Sequence, residues 1–587
     1  MTAILGISGF FHDSAAVVVV DGEIVAAAQE ERFSRIKHDH HFPRQALAYC
    51  LEEAGLTTTQ LDYVGFYEKP LLKFDRLLQT YVSYSPAGFR SFAKSMPQWL
   101  KQKLHLPRII RRELKGSYRK QIIFTGHHQS HAASAFFPSP FDEAAVLTVD
   151  GVGEWSTATY GVGRGNRIDL THELHFPHSL GLLYSAFTYY CGFNVDSDEY
   201  KLMGLAPYGE PVYADLIRKH LIDLKPDGSF RLDMKYFQYC QGLTMTSRHF
   251  DRLFGHTRRQ PESEWKQHYM DMAASIQLVT EEILLNMVQH LHKMTGMKNL
   301  CLAGGVALNC VSNGRILREG PFEKIWIQPA AGDAGGALGT ALFLWYQLMN
   351  ESRKPVLPDA MKGCLLGPAY STANAAEKLQ SLGANFKEIS ESELLNKAAA
   401  LLADGKIVGW MQGRMEYGPR ALGCRSILGD PRRAEMQSRI NQSIKFRESF
   451  RPFAPAVLEE FAGDYFKLKS RQSSSYMQFV AEVQPWLLDD PTKTDHTNQS
   501  SFQLPAVTHV DHSARLQKVD TDHNPRFAKL LSAFHQLTGC PVLINTSFNV
   551  RGEPIVCTPE EAFQCFMSTD MDVLVIEDII LIKDEQP

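Results

Sequence analysis

Short runs of apolar residues, each closed by a polar or glycine turn, dominate the first thirty positions. "AILGISG", "AAVVVVDG" and "EIVAAAQEE" predict three strands joined by tight turns, with Asp21-Gly22 as a hairpin signal. The same pattern returns roughly 140 residues later as "AAVLTVDGVGE", "WSTATYGVGRGN" and "RIDLTHELHF". A strand–turn–strand–turn–strand pattern that occurs twice predicts an internal duplication. Each half would open with an antiparallel hairpin whose first turn can approach a ligand closely. The glycines of "GVGRGN" lead into the strand-like "RIDLTHEL" and not into a helix, so they predict a hairpin turn rather than a dinucleotide loop.

Further along, the period lengthens to that of a helix. The run from Trp265 to Gly296 is apolar-periodic throughout, and "KNLCLAGGVALNCVSNGRIL" predicts a buried strand, the Gly304-Gly305 turn and a helix. Residues 350–371 are polar and proline-bearing, which predicts a linker. Beyond it a helix near "LLNKAAALLADG" and strands in "KIVGWMQG", "CPVLINTSFN" and "DVLVIEDIILIK" predict a second α/β domain running to the end. "SRQSSSY" and "DDPTKTDHTNQSS" predict exposed loops. The expected domains are 1–352 and 365–587, both α/β.

Composition narrows the class. At 587 residues the chain exceeds what one core supports, and 44% hydrophobic with 21% charged residues is that of a soluble globular protein. A net charge of −4 supplies no whole-chain attraction for nucleic acid. Segment 101–120 is the local exception, with eight Lys and Arg against Glu113 alone; it is either a solvated helical face or a patch for a polyanionic substrate. The ten cysteines form no CxxC pair, and the N-terminal apolar run lacks a basic flank and is cut by Asp21. A cytoplasmic protein with no membrane span is expected.

Candidate chemistry begins at "GHHQSHAASAFF". His127 and His131 are four apart, so on a helix they share a face and could reach one cation; a structural or capping role is the alternative. Asp150 ends a strand at a glycine turn, and Asp333 in "AAGDAGGALGTAL" stands where a turn opens a helix. Two imidazoles and two carboxylates suit Fe(II), Zn(II) or Mn(II) without separating them. His128 falls off that face and is expected to be a packed or hydrogen-bonded histidine. "LAGGVALN" and "GDAGGALG" place glycines at helix N-termini, which serves phosphate binding or tight packing. With the duplicated hairpins they predict the two-lobed nucleotide-binding fold of sugar kinases, actin and the Hsp70 chaperones. In the C-terminal half, Arg414, Arg420, Arg425, Lys445, Arg447 and Arg451 lie among glycines, prolines and aromatics, which predicts an anion pocket over structural ion pairs. The absence of GxxxxGK(S/T), GxSxG and HExxH disfavours P-loop, α/β-hydrolase and zincin chemistry.

"GISGFFHDSAA", "EERFSRIKHD", "HHQSHAASAFF", "EYKLMGLAPYG", "GGVALN", "GDAGGALG", "GRMEYGPRALGCRSIL", "KFRESFRPFAP" and "NTSFNVRGEPIV" occur in this order over nearly the whole chain. Together they resemble the O-carbamoyltransferases of the NodU/CmcH family, including antibiotic-tailoring and nodulation-factor enzymes. The resemblance implies an N-terminal domain like the tRNA threonylcarbamoyl-transferase subunit and a C-terminal YrdC-like domain. It implies carbamoyl adenylate made from carbamoyl phosphate and ATP in the second domain, then transfer to an acceptor alcohol at a metal site in the first. On that reading His127, His131, Asp150 and Asp333 are metal ligands, with Fe(II) ahead of Zn(II) or Mn(II), and Mg(II) accompanies the cosubstrates. His12 and Lys37 line the transfer site, and Gly304, Gly305 and Asn309 lie near the nucleotide. Lys445, Arg447, Arg515 and Ser547 line the carbamoyl-phosphate and ATP pocket. The expected partner is a small-molecule alcohol, a natural product or sugar, with no nucleic acid and no membrane; a homodimer is compatible. A threonylcarbamoyl-type transferase acting on tRNA and a non-catalytic ATP-binding scaffold are the alternatives. The scaffold is opposed by the completeness of the site residues.

Overall fold

The computed structural model describes residues 1–101, 103–448, 451–468, 474–488 and 503–587. The chain divides into two compact units, Met1–Glu30 with His38–Ala360, and Glu31–Lys37 with Met361–Pro587.

In the first unit, β1 (Ala3–Ser8), β2 (Ala15–Val20), β3 (Glu23–Gln29), β4 (Tyr63–Phe66) and β5 (Ile122–Phe124) form a sheet in the order β3-β2-β1-β4-β5. The first three are antiparallel neighbours, while β4 and β5 join in parallel. A second sheet is built from β6 (Glu143–Val149), β7 (Ser156–Arg164), β8 (Arg167–His175), β11 (Asn299–Ala303) and β12 (Lys324–Ile327), with a separate ribbon of β9 (Ile222–Leu224) and β10 (Phe230–Leu232) between them in sequence. Its order, β8-β7-β6-β11-β12, repeats the first sheet strand for strand, including the sense of every pairing. The expected duplication is therefore present as topology. β1 is buried at all six positions and β2 at five of six, as continuous apolar runs require when both faces of a sheet are covered.

Two helices carry most of the chemistry, His127–Phe136 and Asp333–Phe343. They approach so closely that a Cβ on Gly339 would stand 1.7 Å from the carbonyl oxygen of Ser130. Buried hydroxyls of Thr125, Ser130 and Thr340 join across that crossing at 2.7–3.1 Å, which sets the register of one helix against the other. The long helix spans Gln267–Thr295 and ends on Gly296 at φ 63°, a left-handed cap that suits glycine.

The stretch read as a linker begins firmly docked. Arg353 is 7% exposed and its guanidinium donates to the carbonyls of Phe136, Phe137, Ser139 and Phe141. The seam falls at Ala360/Met361.

The second unit holds an eight-stranded sheet of β13 (Lys387–Glu388), β14 (Val408–Met411), β15 (Arg425–Gly429), β16 (Ala454–Leu458), β19 (Gln517–Val519), β20 (Val542–Ser547), β21 (Val573–Ile576) and β22 (Ile579–Ile582), in the order β13-β22-β21-β14-β15-β20-β16-β19. A ribbon pairs β17 (Val480–Glu482) with β18 (Ser513–Arg515). "DVLVIEDIILIK" is a hairpin of β21 and β22 turning at Glu577. The segment Glu31–Lys37 is the departure from the expected boundaries. Arg32 donates to Gly418 O at 2.7 Å, and Arg35 to Ile555 O and Pro554 O at 2.7 and 2.8 Å. Guanidinium-to-carbonyl bonds spanning hundreds of residues tie this piece to the second unit, and Lys37 goes with it. The two polar stretches expected as loops fall for the most part outside the described residues. All ten cysteines are buried thiols, and among the described residues no helix is long and apolar enough to cross a membrane.

Candidate metal centre and anion pocket

His127 opens its helix at Gly126, and the Glu154 carboxylate accepts the His127 amide at 3.1 Å. An anion at that position complements the exposed N–H groups and dipole of the helix start, so it pins the turn that bears the histidines. One turn on, His131 is fully buried. Asp150 follows β6, its Oδ1 held by the Gly305 amide at 3.1 Å. That amide is available because Gly304 sits at φ 91°, with a Cβ there falling 2.2 Å from Val149 O. Asp333 is the first residue of its helix and is 2% exposed.

These four side chains converge, one ligand atom from each lying within 4.8 Å of the others. His127 Nε2 is 2.7 Å from Asp150 Oδ2, and His131 Nε2 is 3.2 Å from both that oxygen and His127 Nε2. Asp333 Oδ1 stands 3.6 Å from His131 Nε2 and 3.8 Å from His127 Nε2. Ligands bonded to one ion at about 2.1 Å stand about 3.0–3.4 Å apart in octahedral or tetrahedral arrangements. The observed spacings bracket that range. The far nitrogens, Nδ1 of His127 and of His131, are buried without a hydrogen-bond partner. The ring atoms engaged are thus those aimed at the cluster, and the donor set fits a divalent transition ion. Burial disfavours a charged His131, yet Asp150 and Asp333 outweigh it and push the imidazole up to about 9. Burial opposes ionised Asp150 as well, but the two histidines hold it well below the usual carboxylate range.

His128 lies apart from this group. Its ring bonds Thr148 Oγ1 at 2.7 Å and Ser156 O at 2.9 Å, and burial, with His127 next, drives it down to about 3. It is the packed, hydrogen-bonded histidine expected.

His12 reaches the cluster from the β1–β2 turn, with Nε2 3.9 Å from Asp333 Oδ2 and Nδ1 3.1 Å from Asp13 Oδ2. Asp13 also accepts from His38 Nδ1 at 2.8 Å. A carboxylate behind an imidazole fixes which nitrogen faces the site. Tyr67 donates its hydroxyl to Asp333 Oδ2 at 3.1 Å. Asp13 and Glu154 lie inside quoted motifs without being singled out, and Tyr67 carries no motif signal at all. Asn309 caps the helix Cys310–Glu319 through the Ser312 amide at 3.0 Å and exchanges hydrogen bonds with Gln277. Lys37 belongs to the segment Glu31–Lys37 of the second unit.

In the second unit the structure joins Lys445, Ser547 and Asn549. Lys445 is 3% exposed, and its ammonium donates to Ser547 O, to Ser547 Oγ at 3.4 Å, and to Asn549 O and Oδ1 at 3.0 and 2.8 Å. Every one of these acceptors is uncharged. Burial, and Arg447 after it, carries Lys445 well below the ordinary lysine range. Arg447 donates to Asn441 Oδ1 at 2.7 Å and lies 4.9 Å from the Phe453 ring centroid. Arg515 ends β18 opposite Val480. Two arginines of the expected anion pocket are committed to backbone. Arg425, fully buried, donates to the carbonyls of Gln412, Gly413, Cys424 and Pro368, and Arg414 donates to those of Leu366 and Gly367. Glu416 accepts the amides of Leu422, Cys424 and Arg425 at 2.7–3.2 Å, so the arginine-rich loop is held by its own backbone contacts.

Similarity to known proteins agrees over both units. The chain is 56% identical over 602 aligned positions to the Synechocystis protein sll1178, covering 100% of this chain and 98% of that one. It is 38% identical to nodulation protein NolNO of Sinorhizobium fredii, covering 98% and 79%, and 29% identical to nodulation protein U of the same species, covering 92% of each. A solved structure of full-length HypF, in a phosphate- and nucleotide-bound form, aligns at TM-score 0.34 and 12% identity over 60% of this chain and 56% of that one, a slight likeness; the fold described above rests on strand order. The model of the carbamoyltransferase N-terminus matches residues 3–342 and that of the carbamoyltransferase C-terminus matches residues 399–583. Covered by both models in order, the chain belongs to the carbamoyltransferase family and is an enzyme of the transferase class.

Proposed function

We propose that the enzyme makes carbamoyl adenylate and transfers its carbamoyl group to the hydroxyl of a small-molecule acceptor. Carbamoyl phosphate, water and ATP give carbamoyl adenylate, phosphate and pyrophosphate in the second unit, where the buried Lys445, whose acceptors are all uncharged, and the half-buried Arg447 offer positive charge to a phosphate-bearing ligand. In the first unit the acceptor oxygen attacks the carbamoyl carbon, its bond to the AMP oxygen breaks, and AMP leaves. The hydroxyl proton passes to His12 Nε2 or is oriented by it, with Asp13 fixing the ring through Nδ1. His127, His131, Asp150 and Asp333 would hold a divalent ion, Fe(II) first and Zn(II) or Mn(II) next, whose chemistry is polarisation of the carbamoyl oxygen. Gly304, Gly305 and Asn309 shape the turn beside Asp150 on which the nucleotide is expected to lie.

The convergence of those four ligand atoms carries the reading. It is tested by incubating the metal-loaded enzyme with ATP, carbamoyl phosphate and a panel of alcohols. Mass spectrometry should find a carbamate of one alcohol, together with AMP, and chelation should remove both; AMP release with no carbamate on any alcohol would refute transfer to a hydroxyl.

A further inference from the structure

Beside the His12 edge of the site, three cations are buried with too little negative charge to match them. Lys73 and Arg76 are 5% exposed and Lys103 is 9% exposed. The first two stand three apart on the helix Pro70–Ser83, and Lys103 opens the short turn Lys103–His105. Lys73 Nζ donates to Glu68 Oε2 at 2.6 Å, and Glu68 is itself 2% exposed. The second carboxylate whose field reaches Arg76 is Glu154, already committed to the amides of Lys69 and His127. Among the described residues, three positive groups thus face two negative ones. Arg76 Nη1 is buried with no hydrogen-bond partner, and the guanidinium lies over the Phe176 ring at 4.9 Å. Lys103 Nζ stands 4.8 Å from the Trp99 ring centroid and 6.0 Å from that of Phe11, and Lys73 Nζ lies 4.8 Å from the Phe11 ring.

Taking a cation out of water is unfavourable unless an opposite charge joins it. Burial lowers Lys103 to about 8 and Arg76 to about 10, the direction expected where solvent is lost and nothing replaces it. Arg108, Arg111, Arg112, Lys115, Arg119 and Lys120 of the same segment do not share this situation. Arg108, Arg111 and Arg112 are exposed on the helix Leu106–Glu113, whose buried face is Leu106 and Ile110. Among the described residues, that run is therefore a solvated face with one lysine, Lys103, turned inward. The inward group also borders the chemistry: the Phe11 ring lies 4.6 Å from the His12 ring, and Glu68 follows Tyr67, which donates to Asp333. The Gly304–Gly305 turn, by contrast, borders Asp150.

We infer that Lys73, Arg76 and Lys103 form an acceptor subsite that takes an anionic group, a phosphate monoester, sulfate or carboxylate carried on the same molecule as the hydroxyl to be carbamoylated. The inference rests on the carbamoyl-transfer reading for the meaning of "acceptor", but the anion site itself does not.

Two measurements separate these. In the first, the full chain is titrated with inorganic phosphate while tryptophan fluorescence is followed, and the component lost in Trp99→Phe reports this subsite. A saturable change is expected, with its Kd raised about tenfold or more by Lys103→Gln and by Arg76→Gln and kept by Lys103→Arg. Lys103 makes no hydrogen bond among the described residues, so its variant carries the test even should Arg76→Gln fail to fold. A phosphate response identical in wild type and Lys103→Gln overturns the subsite. In the second, alcohols are compared with the same alcohols bearing a phosphate, sulfate or carboxylate. A preference for the anionic member in kcat/KM that Lys103→Gln abolishes is expected. Loss of AMP affinity in Lys103→Gln with the acceptor preference intact would assign the cations to the donor nucleotide and overturn the inference. No carbamate on any acceptor, with the phosphate response present, would instead sink the functional reading alone.

Discussion

Removing one imidazole from the four-donor cluster should erase most of the stability that a bound ion lends the first unit. At a free metal concentration of 100 times Kd, binding to the folded state stabilises it by about 2.7 kcal/mol. Loss of His131, one of four ligand atoms within 4.8 Å of one another, should weaken binding at least about 100-fold, the upper end of what disturbing a mere supporting partner does. At the same metal concentration the variant then retains about 0.4 kcal/mol. The difference, about 2.3 kcal/mol, corresponds to about 3 °C in Tm for a unit of this size. The assay is scanning calorimetry of chelator-treated protein with and without Zn(II), Mn(II) or Fe(II), on wild type, His131→Ala and His128→Ala. His128 is the internal control: it is 4% exposed and bonded to Thr148 and Ser156, so its loss costs about 1–3 kcal/mol of folding stability whatever the metal. His128→Ala should melt early and keep its metal-induced rise; His131→Ala should lose the rise. A full metal-induced rise in His131→Ala would refute the ligand assignment, because stability linked to an ion cannot survive the loss of its ligand unchanged.

Arg447→Ala should block carbamoyl-phosphate-dependent pyrophosphate release, a loss of about 2–5 kcal/mol in binding a phosphate charge, while chemically supplied carbamoyl adenylate is still used; equal failure with both donors would refute the division of labour between units. Asp13→Asn should lower kcat about tenfold or more with KM little changed, since it frees the His12 ring without removing it, and a normal kcat would deny His12 its role. Arg353→Met strips the shared donor from four carbonyls at 136, 137, 139 and 141 and should destabilise the first unit by about 3 kcal/mol in calorimetry, leaving the second unit's transition in place.

The duplicated strand pattern was legible because alternation and turn residues report local structure, and β1–β3 and β6–β8 are consecutive antiparallel neighbours. The long helix and its Gly296 cap were legible for the same reason. After Gly304-Gly305 the expected helix is delayed by a short turn, Gly305–Leu308, because Asn309 supplies the cap one step later. What lay beyond reach was the choice of partner. Arg425 and Arg447 look alike as sequence, each a guanidinium among glycines or aromatics, but Arg425 is fully buried and donates to four backbone carbonyls while the half-buried Arg447 reaches the side-chain amide of Asn441. Lys103 is indistinguishable from its exposed neighbours until the turn faces it inward. Tyr67 and Glu154 reach the centre across long sequence separations that no local period encodes.

The seven-residue strap Glu31–Lys37 has a consequence for how the polypeptide is made. It leaves the ribosome between β3 and the helix Arg44–Glu53 of the first unit, yet its bonding partners, Gly418, Pro554 and Ile555, are translated hundreds of residues later. At 5–20 residues per second the strap waits on the order of half a minute or more before the carbonyls that its two guanidiniums bond have been made. As an autonomous C-terminal fragment the second unit would lack the donors that these three carbonyls accept from: a nascent chain released before Ile555, or a gene divided anywhere between codons 38 and 360, separates the strap from the carbonyls it satisfies. In a chain fused in this interlaced order, no single crossover point keeps each unit whole.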